Sequence, residues 1–257
     1  MVPIVHDAAS TGFTANAAGY ARGRPDYPAA LDAWLRDAVG LRPGTTVVDL
    51  GAGTGKFIRR LQSTGATIVA VEPVDAMRAR LAADFPAVDA RAGTADAMPL
   101  GDASAQAVVC AQAFHWFATP SAVAEIARVL QPGGTLALVW NVRDASVPWV
   151  RALTEIIQPH ESDVPRYYKG DWRRVFPAAG FGPLQETVFE HAHVGTAEQV
   201  IVDRFLSVSF IAALPASERA DVERRLRALI DADPALAGGK TIALPYRTAA
   251  FHCLRQP

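Results

Sequence analysis

Between residues 28 and 141 two kinds of apolar pattern alternate along the chain. AALDAWLRDAV (29–39) repeats its apolar positions every three or four residues and ends at Gly40 and Pro43, which predicts an amphipathic helix. TTVVDL (45–50) is a short continuous apolar run, a buried strand, followed by the turn GAGTG and a helix KFIRRLQS (56–63) stopped by Gly65. ATIVAVE (66–72) predicts a second strand, and DAMRARLAADF (75–85), with Asp75 as its N-cap, a second helix of this kind. VDARAG (88–93) and AQAVVCAQ (105–112) read as a weak third strand and a strong fourth. PSAVAEIARVLQ (120–131) reads as a helix, and GGTLALVWN (133–141) as a fifth strand after the turn Pro132-Gly133-Gly134. Apolar strands alternating with helices predict a parallel sheet covered on both faces, the doubly wound α/β class.

Beyond Asn141 the pattern changes. Residues 143–176 are rich in Trp, Tyr, Pro and charge and show no clean period. GPLQETVFEHAHV (182–194) suggests a strand, residues 197–211 and 217–230 two helices, and TIALPYRTAAFHCLR (241–255) a final strand pair or one long bent strand. The organisation expected is a leading segment and first helix over 1–43, an α/β core over 44–141, and the remaining strands over 142–257. Two insertions, about 142–176 and 196–240, would lie over one end of the sheet.

The turn VVDLGAGTGKF (47–57) is the most informative segment. Glycines at a strand's carboxyl end admit positive φ and close approach of a ligand, and the following helix offers free N–H groups. A dinucleotide fingerprint needs its third glycine at residue 56, where Lys56 stands, and a phosphate-binding P-loop needs Ser or Thr after the lysine, where Phe57 stands.

The series Val47, Val48, Asp49, Leu50, Gly51, Ala52, Gly53, Thr54, Gly55 resembles the glycine motif of class I S-adenosylmethionine-dependent methyltransferases. The resemblance implies a seven-stranded, mostly parallel, Rossmann-like sheet with a helical or irregular substrate cap. It implies that the loop surrounds the methionyl part and ribose of the cofactor while Asp49 orders the loop and the ligand amine. Glu72, 21 positions after Gly51, would accept the ribose hydroxyls. Thr94, Ala95 and Asp96 would lie near the adenine amine with Met98 beside the ring. Pro73, Met77, Gln112 and Ala113 would add cofactor contacts. Glu72 equally suits a helix-leading position and Asp96 a turn.

YxxxRPxYP (Tyr20, Arg24, Pro25, Tyr27, Pro28), QAFHWF, EIARVLQPGGTLALVWN and ALPYRTAAF extend the resemblance over nearly the whole chain. They are similar to the type 11 group, including relatives of trans-aconitate methyltransferases. There the leading segment folds over the cofactor, so Tyr20 would cover the methionyl chain and Arg24 meet its carboxylate. Relatives often carry a serine-tyrosine pair where this chain has SVSFIAAL, so Phe210 removes a phenol from the site.

Methyl transfer from a sulfonium is an in-line displacement that needs alignment and exclusion of water more than dedicated catalytic groups. His115 lies just beyond the fourth strand, where open α/β sheets bind ligands, and is the candidate base or positioning group; packing is the other reading. Trp116, Trp149, Tyr168 and Phe205 are the candidate substrate-side aromatics, with Trp140, Trp172 and Tyr167 completing an aromatic lid. Asn141 and Arg143, at the end of strand five, would address a substrate carbonyl or carboxylate; Arg143 equally suits a pair with Asp144.

Composition narrows the function without redirecting it. The formal net charge is -1 from 25 basic and 26 acidic residues, which disfavours nucleic acid and anionic membranes as partners. Half of the residues are apolar, and no run of 18 apolar residues or basic leader appears, so a cytoplasmic location is expected. Cys110 and Cys253 lie in apolar runs as free thiols, and neither cysteine spacing nor His191-Ala192-His193 makes a metal site. QAF (112–114) replaces the [Asp/Asn]-Pro-Pro-aromatic segment of nucleobase and protein-glutamine N-methyltransferases. The reading expected is methyl transfer to a small metabolite, at a carboxylate or hydroxyl oxygen first and at carbon or nitrogen second. An NAD-dependent oxidoreductase or a non-catalytic cofactor-binding protein on the same architecture are the competing classes.

Overall fold

The computed structural model describes residues 24–161, 165–238 and 241–257. Seven strands form one sheet in the order β3-β2-β1-β4-β5-β7-β6. β1 (Thr46–Leu50), β2 (Thr67–Val71), β3 (Asp89–Arg91), β4 (Ala105–Ala111) and β5 (Leu130–Arg143) pair in parallel, whereas β7 (Ile242–Leu254) runs antiparallel between β5 and β6 (Gln185–Gly195). The C-terminal run is therefore one long strand. The dinucleotide fold has six strands ordered 3-2-1-4-5-6 in a mostly parallel sheet, and an inserted antiparallel seventh departs from it.

Side chains alternate across each strand, so one apolar strand feeds two cores. Val48, Val108, Leu136 and Trp140 pack on one face with α4 (Pro120–Val129). Val47, Val109, Ala137 and Val139 pack on the other with α1 (Leu31–Asp37), α2 (Ile58–Gln62) and α3 (Asp75–Asp84). A third apolar cluster joins α5 (Pro148–Ile157), α6 (Arg204–Leu206), α7 (Ser209–Ala212) and α8 (Ala216–Ala232) to the start of β7.

Several local expectations are corrected. α2 covers only Ile58–Gln62, because the backbone is still turning through Phe57. Asp75 is the first residue of α3 rather than its cap; Val74 holds the cap position, and Asp75 instead pairs with Arg78 at 2.5 Å. α4 stops at Val129 and Leu130 already belongs to β5, which pairs with Ala105 before a register shift. The helix expected over 197–211 is broken into a π-helical stretch Glu198–Asp203, α6 and α7. The segment after residue 143 contains α5, whose apolar Val150, Leu153, Ile156 and Ile157 are one helical face behind Pro148.

Candidate active site

The carboxyl ends of β1, β2 and β4 open onto a cavity of about 190 Å³. The glycine turn forms its floor: Gly51 N–H donates to Val71 O at 2.8 Å, and Gly51 and Gly53 have φ of +72° and +58°. At Gly51 a Cβ would lie 2.7 Å from that of Ala113, so the loop can approach the β4 end only without a side chain. Glu72 fixes the loop from the side: Gly53 N–H donates to Oε2 at 2.8 Å and Val74 N–H to Oε1 at 2.9 Å. Burial raises the Glu72 pKa, against these two bonds and Arg78.

Asp49 is 1% exposed, and neither of its carboxylate oxygens has a partner among the described residues. Burial first, and then the charge of Glu72, push its pKa up to about 7. A buried acid without a donor, facing a cavity, is a fitting place for a cationic ligand group. The hydroxyl of Thr94 is likewise buried without a described partner beside the same cavity.

The expected cofactor positions converge closely. Arg24, Asp49, Gly51, Ala52, Gly53, Thr54, Glu72, Pro73, Met77, Thr94, Ala95, Asp96, Gln112 and Ala113 all line this cavity. Tyr20 lies outside the described residues. Two positions are corrected. Gly55 does not line the cavity; it is a packing glycine, since a Cβ there would lie 2.9 Å from the Phe85 ring at φ +81°. Met98 is a core residue whose N–H donates to Glu125. Arg24, Pro25 and Tyr27 line the same cavity, and this segment is held by Lys56–Asp26 at 2.8 Å and by Asn141 Nδ2 donating to Asp26 O at 3.1 Å, with Tyr27 edge-on to Phe57.

A second cavity of about 400 Å³ meets the first at Arg24, Gln112, Trp116, Asn141 and Arg204. Gln112 holds the junction in an unusual backbone conformation, φ +59°, with its side-chain amide donating to Asn141 O at 3.1 Å. His115 lines the second cavity from the 3₁₀ turn Phe114–Trp116. Its Nδ1 accepts a hydrogen bond from the Trp140 indole N–H at 3.1 Å. Burial, followed by the positive charges of Arg166 and Arg24, lowers its pKa to about 3. A neutral imidazole that accepts at Nδ1 carries its proton on Nε2 and so offers a donor.

On the substrate side, Trp116, Asn141, Arg143 and Tyr168 line this cavity. Arg143 does not pair with Asp144; it lies over the Phe205 ring, 4.6 Å from its centroid. Phe205 and Trp149 are corrections: Phe205 is fully buried beneath Arg143, and Trp149 packs against the third apolar cluster. The wider aromatic lid is mostly core, for Trp140 and Trp172 are buried with ring centroids 4.6 Å apart, leaving Trp116, Tyr167 and Tyr168 at the cavity. The reading from sequence missed Arg166 and Arg204. Arg204 had one signal, a charged residue within the apolar run VIVDRFL. Among the described residues no group of His, Cys, Asp and Glu is placed to hold a metal ion, and no helix is long and apolar enough to cross a membrane.

A seven-stranded sheet with a glycine turn, a buried acid and a strand-two carboxylate around one cavity is the arrangement of a Rossmann-like cofactor-binding site. The family model for the type 11 methyltransferase domain matches residues 48–138. The chain is 38% identical over 246 residues to an uncharacterized methyltransferase-like protein of Schizosaccharomyces pombe, covering 95% of this chain and 96% of that one. It is 41% identical over 246 residues to an uncharacterized methyltransferase of Mycobacterium tuberculosis, covering 96% and 95%. A solved structure described as a type II methyltransferase, from Anaeromyxobacter dehalogenans, shares the fold with a TM-score of 0.63 at 24% identity, covering 90% of this chain and 96% of that one. The chain belongs to the type 11 methyltransferases, enzymes whose methyl donor is S-adenosylmethionine.

Proposed function

We propose that this enzyme transfers a methyl group to an oxygen of a small molecule, with the cofactor in the cavity at the glycine turn and the acceptor in the cavity lined by His115. In this reading the bound cofactor supplies an activated methyl, and the chain's residues orient, shield and neutralise. Asp49 receives the cofactor's ammonium, Glu72 braces the loop and remains within reach of the ribose, and residues 24–27 close the opening. Gln112, Trp116 and Asn141, shared by both cavities, bound the passage through which donor and acceptor meet.

The observation that carries the choice of oxygen is the state of His115. With Nδ1 engaged by Trp140 and its pKa near 3, the imidazole donates from Nε2 and does not abstract a proton. Glu161, the one carboxylate among the described residues that line the cavity, is already engaged by Arg166 and the Tyr168 hydroxyl. The acceptor cavity thus offers donors and positive charge, which suit a carboxylate and repel an ammonium. A carboxylate attacks without losing a proton, one oxygen held by His115 while the other meets the methyl group.

The test is incubation with ¹³C-methyl-labelled S-adenosylmethionine and separate pools of carboxylic acids, hydroxyl compounds and amines. Two-dimensional NMR should find an O–CH₃ product, released as methanol by alkali if it is an ester. A product labelled only at nitrogen or carbon would refute the reading.

A further inference from the structure

Three guanidinium groups line the acceptor cavity, and the described residues do not supply enough negative charge to balance them. Arg204 is 8% exposed; its Nε donates to the Tyr246 hydroxyl at 3.1 Å, and Nη1 is buried with no partner among the described residues. Arg166 donates from Nε to Glu161 at 2.8 Å, lies 4.7 Å above the Phe210 ring, and keeps a buried Nη2 without a described partner. Arg143 rests on Phe205 and has no hydrogen-bonded or ion-paired partner for its guanidinium among the described residues. Burial and then Arg204, with Arg24 and Arg166 adding to it, hold the Arg143 pKa down at about 10, so Arg143 is still a cation at neutral pH.

Like charges withdrawn from water are costly unless a counter-charge arrives. Glu161 answers for one of the three. Arg204 lines both cavities, but Arg143 and Arg166 line only the second, so the cofactor's own carboxylate does not answer for Arg143. Guanidinium forks with free N–H groups match the paired oxygens of a carboxylate or phosphate. In the same cavity Trp116, Val142, Ile157 and Phe210 give apolar wall for a molecular body.

We propose that Arg143, Arg166 and Arg204 form an oxyanion subsite, and that the acceptor carries a carboxylate or phosphate monoester held there, separate from the atom that is methylated. Separation follows from chemistry: an oxygen whose lone pairs are forked by guanidinium is a weak nucleophile, so the anchored group and the reacting group differ. This inference rests on the methyl-transfer reading, since it takes the second cavity as the acceptor's.

Calorimetry on the full chain separates the two. S-adenosylhomocysteine is titrated first; absence of binding would overturn the methyl-transfer reading itself. The saturated protein is then titrated with phenylacetate, phenyl phosphate and the neutral 2-phenylethanol. At least one anion should bind ten times more tightly than the alcohol, and which one does so distinguishes carboxylate from phosphate. Arg143→Met should cost that anion at least tenfold while leaving the affinity for S-adenosylhomocysteine within twofold. Arg143→Lys, which keeps the charge and loses the fork, should cost it at least threefold and serves if the methionine variant does not fold. Equal binding of anion and alcohol, no anion binding to the saturated protein, or variants with unchanged anion affinity would each overturn the subsite.

Discussion

Asp49 is the residue where burial and function conflict most openly. A carboxyl group with no donor among the described residues, at the β1 end, is held in its protonated form up to about pH 7. Its folded-state pKa lies above the ordinary 3.8, so the stability it lends the ligand-free protein is full below that value and is lost as pH rises through about 7. A cationic ligand reverses the preference by favouring the ionised form. Affinity for S-adenosylhomocysteine should therefore rise about tenfold between pH 6 and pH 8, the ratio of ionised Asp49 across its pKa, as one proton is released on binding. Calorimetry over that range measures it, and Asp49→Asn should bind more weakly and flatten the dependence. A pH-independent affinity in the unmodified protein would remove Asp49 from the ligand.

At the scale of elements, the glycine turn divides its labour. Gly51 lets the loop pass the β4 end, Gly53 presents its N–H to Glu72, and Gly55 packs under α3 against Phe85 and Leu81. Gly55→Ala meets both a positive φ and a filled space, and should destabilise the fold by about 1–3 kcal/mol. For a chain of this size that lowers Tm by roughly 2–4 °C per kcal/mol, measurable by thermal unfolding, with little loss of S-adenosylhomocysteine affinity in the molecules that remain folded. The glycine spacing pointed to all three as ligand contacts, because spacing cannot separate a glycine that clears a ligand from one that clears a phenylalanine 30 residues later. The strands were legible because each is a continuous apolar run feeding two cores, as Val47 and Val48 do. α5 is hidden in the sequence although Val150, Leu153, Ile156 and Ile157 carry the period, since Trp149 before them and Arg151 and Glu155 between them resemble an irregular loop. The π-helical stretch at Glu198–Asp203 has no comparable sequence mark.

Across the whole molecule, the cofactor half of the site is written in local motifs, whereas the acceptor half is assembled from residues far apart: Arg24, His115, Trp140, Arg143, Arg166 and Arg204. That difference explains why the first was readable almost throughout and the second only in part: His115, Trp116, Asn141, Arg143 and Tyr168 were named from sequence, Arg166 and Arg204 were not. Position alone left His115 open as base, binder or packing residue. Its chemistry is decided by Trp140 on β5 and by the arginines at 24 and 166, none of which adjoins it in sequence. The proposal that this cavity donates hydrogen bonds to an oxygen acceptor stands on that state. It can be read without knowing the substrate, by ¹⁵N NMR of histidine-labelled protein with His115→Gln assigning the signal. The account expects the Nε2–H tautomer of a neutral ring from pH 8 down to pH 5; an imidazolium forming with a midpoint near 6.5, or the proton on Nδ1, would contradict it.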